Sequence, residues 1–92
     1  MRILIVDDEE NFRYLLKKLF EAHSVATASD GEEALKIFFQ DNDNFDLVIT
    51  DRKMQGEKMP GEEVIRKIKL SNPMVKTILN ERYGWRRSKA SG

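Results

Sequence analysis

Cysteine is absent from this chain. That excludes a disulfide framework and any thiolate metal site. Histidine is nearly absent too: His23 stands alone. A His-rich metal cluster is therefore excluded, and a Ser/His/Asp triad lacks support. At a predicted helix end, His23 suits capping or the helix dipole better than chemistry. No apolar run approaches the roughly 20 residues that span a bilayer. Met1-Arg2 leads into only four apolar residues, too few for the core of a signal peptide. Neither charge sign dominates: 16 Lys and Arg balance 16 Asp and Glu. That removes any general pull toward nucleic acid or an anionic membrane. These absences set the expectation of a soluble cytoplasmic protein with no direct nucleic-acid or membrane partner. Its 92 residues suggest one small domain.

What the chain does have is a repeated alternation of short apolar runs and amphipathic stretches. Ile3 to Val6 is a continuous β-favouring run, which suits a strand buried on both faces. In "ENFRYLLKKLFEAH", Phe12, Leu15, Leu16, Leu19 and Phe20 make one apolar helical stripe. "SVATAS", Ser24 to Ser29, reads as a weaker strand. Asp30 and Glu33 have capping-box spacing and open a helix with Ala34, Leu35 and Phe38 inward. Phe45 to Thr50 is a third strand, ending on Asp51. A polar loop with Gly56, Pro60 and Gly61 as breakers follows, with Met54 and Met59 expected to pack. A third helix buries Val64, Ile65 and Ile68, and "PMVKTIL" is a fourth strand. Residues 1–80 form the expected domain. Residues 81–92, with Tyr83 and Trp85, read as an irregular basic tail, native or added in cloning. Strands alternating with helices predict an α/β fold with a parallel sheet. In such sheets function gathers at the carboxyl ends of the strands.

Asp7, Asp8 and Asp51 all occupy such ends. Glu9 and Glu10, which follow in "ILIVDDEE", are accounted for as acids opening a helix. Asp7 is not, because it sits closest to the apolar run. If the first and third strands are neighbours, three carboxylates share one crevice, and their mutual repulsion calls for a cation. Mg2+ is the natural one: it takes oxygen ligands and is commonly held by one or two carboxylates plus a phosphate.

The motifs "ILIVDDEE", "DLVITD" and "DGEEAL", at this spacing, resemble the receiver domains of two-component response regulators over about residues 2 to 79. The resemblance implies a doubly wound, flavodoxin-like (CheY-like) parallel sheet. It implies that Asp51 is the phosphoryl acceptor, that Asp8 binds Mg2+ directly and Asp7 through water, and that the backbone carbonyl of Lys53 is a further ligand. It implies a sensor histidine kinase or phosphotransfer protein as donor, and a signalling module rather than an enzyme. A metal-dependent phosphohydrolase would want a carboxylate two residues past the nucleophile, where this chain has Lys53.

The chain departs from the family pattern in three places. Gln55 follows Met54, and "MPG" comes later, at Met59 to Gly61. The fourth strand ends in Asn80 and Glu81 where the family carries Ser or Thr, and Thr77 lies too early. The family's later elements and their Lys have no counterpart, and Lys89 is too early for that role. The sheet is thus expected to be incomplete, with about four strands and three helices. An apolar face built from Ile3, Ile5 and Val48 should be uncovered and the fourth strand left as an edge. That favours self-association or domain swapping. The alternative function is a degenerate receiver acting as a phosphorylation-independent interaction or dimerisation module.

Overall fold

The computed structural model describes residues 1–40, 44–54 and 59–81. Gln55, Gly56 and the tail with Tyr83, Trp85 and Lys89 lie outside them. The elements run β1 (Arg2–Val6), α1 (Glu10–Leu19), β2 (Ser24–Ala28), α2 (Gly31–Gln40), β3 (Leu47–Asp51), α3 (Gly61–Ser71) and β4 (Lys76–Asn80). The four strands form one parallel sheet in the order β2-β1-β3-β4. The chain winds outward from β1 to β2, then passes back over β1 to β3. The strand order therefore reverses between β1 and β3, where the carboxyl ends open a crevice.

Alternation along the strands divides the core between the two faces of the sheet. Leu4, Val6 and Val48 face α2 and α3, packing with Ala34, Phe38, Val64 and Ile68. Ile3, Ile5 and Ile49 face the other way, toward Leu16 and Phe20 of the α1 region. Ile65 is only half-buried. Phe45 falls before β3 rather than in it, and its ring stacks on Phe38 at 5.9 Å between centroids.

Two sequence expectations are corrected. Ile3, Ile5 and Val48 are all fully buried, and Val48 belongs to the opposite face from the two isoleucines. The register explains this: Leu4 pairs with Val48 and Ile3 with Leu47, so parity separates them. The exposed apolar side chain on β4 is Ile78, 49% accessible. The stripe on α1 is also not buried throughout. Leu15 and Leu19 are exposed, because α1 meets the sheet over β1 and β2 through Leu16 and Phe20, a contact narrower than the stripe.

The expected cap at α2 forms, with the return bond of the capping box shifted one residue back, from Asp30 to Ser29. Asp30 Oδ1 accepts the Glu33 N–H at 2.8 Å, and Glu33 reaches back to the Ser29 N–H at 2.6 Å and its hydroxyl at 3.0 Å. Asp30→Ala is expected to cost about 1 kcal/mol through the lost cap. Urea unfolding measures this, and an unchanged midpoint would show that the cap carries no stability.

Candidate metal centre

Each acid of the candidate site is delivered by a strand end. Val6 pairs with Thr50, so the next residues, Asp7 and Asp51, emerge side by side from β1 and β3. Asp8 follows. One oxygen from each of Asp7, Asp8 and Asp51 can lie within 4.8 Å of the others. Asp7 is 1% and Asp51 5% exposed, while Asp8 is half-buried. An all-oxygen donor set of three carboxylates, two of them nearly removed from water, fits a hard divalent cation and no soft one.

Asp7 is firmly placed. Its N–H donates to Ala28 O at 3.1 Å, its Oδ1 accepts the Glu9 N–H at 2.8 Å, and its carbonyl accepts Arg13 Nη1 at 2.6 Å. Asp51 is placed by packing as much as by bonds. The Thr50 hydroxyl donates to the Asp51 carbonyl at 3.1 Å. Gly61, at the start of α3, lies so close that a Cβ there would stand 2.1 Å from Asp51 O. Lys53 is exposed and lines a shallow hollow with Arg52, Pro60 and Glu62. Met54 is buried and Met59 partly buried against the core, as packing residues.

On β4, Asn80 is the register partner of Asp51, while Thr77 pairs with Val48, three rungs away. At about 3.3 Å per residue, Thr77 lies roughly 10 Å back along the sheet. Glu81 is engaged by Arg52, whose Nη1 lies 2.5 Å from it and whose Nε lies 2.9 Å from Glu62. These contacts, Glu81 first and Glu62 second, raise the pKa of the Arg52 guanidinium above its ordinary value. Arg52 thus ties the end of β4 to the first turn of α3 at the surface. Sequence reasoning did not single out Arg13 or Arg52. Their partners are 6, 10 and 29 residues away, separations with no local signature in a chain that is 35% charged.

Comparison with known proteins gives a consistent family. The profile described as the response regulator receiver domain matches residues 3–82. Sporulation initiation phosphotransferase F of Bacillus subtilis is 34% identical over 85 residues, covering 90% of this chain and 65% of that protein. The chain spans only 26% of the probable transcriptional regulator ycf27 of Cyanidium caldarium, to which it is 44% identical over 69 residues, covering 73% of this chain. Among solved structures, the complex of histidine kinase ThkA with response regulator protein TrrA matches with a TM-score of 0.76 and 46% identity, covering 89% of this chain and 69% of that one. TrrA from Thermotoga maritima in complex with Mg(2+)-BeF matches with a TM-score of 0.71 and 31% identity, covering 98% and 95%. Among the described residues, no helix is long and apolar enough to cross a membrane.

Proposed function

The chain belongs to the response regulator receiver domain family, and from that premise we propose that Asp51 accepts a phosphoryl group from a sensor histidine kinase or phosphotransfer protein, with Mg2+ held by the acidic cluster. The observation that carries this reading is the meeting of Asp7, Asp8 and Asp51 at adjacent strand ends. A kinase donor is supported by the solved pairing of TrrA with ThkA, and Mg2+ by the TrrA complex that contains it.

In this reading an Asp51 carboxylate oxygen attacks the phosphorus of a phosphohistidine. The P–O bond forms as the P–N bond breaks, and the imidazole leaves with the electron pair. Asp8 would hold Mg2+ directly, Asp7 through water, and Lys53 through its backbone carbonyl. Mg2+, when bound, supplies positive charge to the transferring phosphoryl oxygens. Asp7 needs no reorganisation, because its carboxylate and both its backbone polar groups already have partners. Asn80, beside Asp51, is the β4 group able to donate to the phosphoryl oxygens. The module would signal from the cytoplasm rather than turn over a substrate.

A second reading, an interaction module that works without phosphorylation, is favoured by Asn80 and Glu81 where the family carries Ser or Thr. Self-association has support in Ile78, half-exposed on the edge strand of the described sheet.

Acetyl phosphate and Mg2+ separate the two readings. The acceptor reading expects intact mass to rise by one phosphoryl group, and the rise to vanish in EDTA. Folded protein that gains nothing would refute it and leave the interaction module.

A further inference from the structure

We propose that Arg13 is a positioning residue for the metal centre: by holding the Asp7 carbonyl from α1, it sets the direction in which the Asp7 and Asp8 carboxylates leave β1. This inference rests on the metal-holding reading of the site.

Three contacts form one unit. Arg13 Nη1 donates to Asp7 O at 2.6 Å. The backbone N–H of Arg13 donates to Glu9 O at 3.1 Å, closing the first turn of α1. The Glu9 N–H in turn donates to Asp7 Oδ1 at 2.8 Å. Asp7 is therefore gripped at its carbonyl and its carboxylate by two residues that are bonded to each other. The carbonyl that Arg13 holds belongs to the peptide joining Asp7 to Asp8. Rotation of that peptide would swing Asp8 away from Asp7 and Asp51. A charged donor makes the stronger kind of hydrogen bond, and Arg13 is half-buried, where it is less screened than at the surface.

A positioning role and a merely electrostatic role predict opposite signs. A guanidinium near three carboxylates repels a dication, so removing its charge alone should tighten Mg2+ binding. Removing a group that orients ligands should weaken it. Loss of an outer partner of a metal ligand typically costs about tenfold or more in affinity.

The test is a Mg2+ titration of the 15N-labelled chain, following the Asp8 and Glu9 amides, for the wild type, Arg13→Met and Arg13→Lys. Hydrogen exchange of the Glu9 amide is measured without metal. The proposal expects about tenfold weaker binding and faster Glu9 exchange in Arg13→Met, with a smaller loss in Arg13→Lys, which keeps the charge but not the planar fork. Equal or tighter binding in folded Arg13→Met would overturn it. If Arg13→Met does not fold, unchanged affinity in Arg13→Lys would do the same. A wild type without Mg2+-dependent shifts would defeat the metal reading as well. The two failures are distinguishable, because only the latter silences the wild type.

Discussion

Alanine at position 61 is expected to cost the fold about 2 kcal/mol net and to disturb the acceptor carboxylate with it. Gly61 opens α3, and its N–H donates to Arg52 O at 2.9 Å. A Cβ there would stand 2.1 Å from Asp51 O and 3.0 Å from both Asp51 C and a methyl of Leu79. Two of these atoms are backbone, so no side-chain rotation relieves the clash. Either α3 or the end of β3 must move. Overpacking of this kind typically costs 1–3 kcal/mol or somewhat more. It is opposed by the helix preference of Ala over Gly, about 1 kcal/mol, most of which is the greater entropy that Gly gives the unfolded chain. The clash wins because backbone oxygen cannot be approached so closely. The loss is a large share of the 5–15 kcal/mol that holds a typical domain together. Chemical denaturation measures it. A variant as stable as the wild type would mean that α3 does not start against Asp51.

Asn at position 51 is expected to reduce phosphoryl uptake by at least about 100-fold while leaving the fold intact. Asn matches Asp in shape, so the packing around Gly61 and the strand pairing with Asn80 are retained. What is lost is the anionic nucleophile, since a neutral amide oxygen is a far weaker one. Removing one of three carboxylates also lowers the charge that attracts Mg2+, so the cation should bind more weakly. Uptake is read by intact mass under acetyl phosphate, and folding by circular dichroism. Uptake at the wild-type rate in Asp51→Asn would remove Asp51 from the acceptor role.

Those two residues were legible in different degrees. Asp51 is announced by the apolar run before it, and so are Asp7 and Asp8. Carboxylates at the end of a strand buried on both faces stand out as candidates, beside the ordinary use of Asp as a turn former there. Asp30 and Glu33 were legible because helix capping is local chemistry, contained here within Ser29 to Glu33. Gly61 was legible as a breaker but not as the point of closest approach between α3 and Asp51, because that distance depends on how two elements pack. Parity misled the reading of Val48: its sequence neighbours identify a strand, but its face depends on register with β1. Leu15 and Leu19 show the same limit on a helix, since periodicity gives the width of the apolar stripe and not the width of what covers it. The Arg13–Asp7 and Arg52–Glu81 contacts were invisible for a third reason. Long charged side chains reach partners that topology brings near, and nothing in the local pattern marks which of many charges will meet.

The central claim is that one carboxylate, at position 51, takes the phosphoryl group with Mg2+. The most direct measurement is to phosphorylate the wild-type chain, trap the acyl phosphate by borohydride reduction, and sequence the labelled peptide by mass spectrometry. The account predicts reduction at position 51 in Mg2+ and none in EDTA. Label at Asp7, Asp8 or any residue outside the cluster, or label at position 51 that is indifferent to the cation, would contradict it.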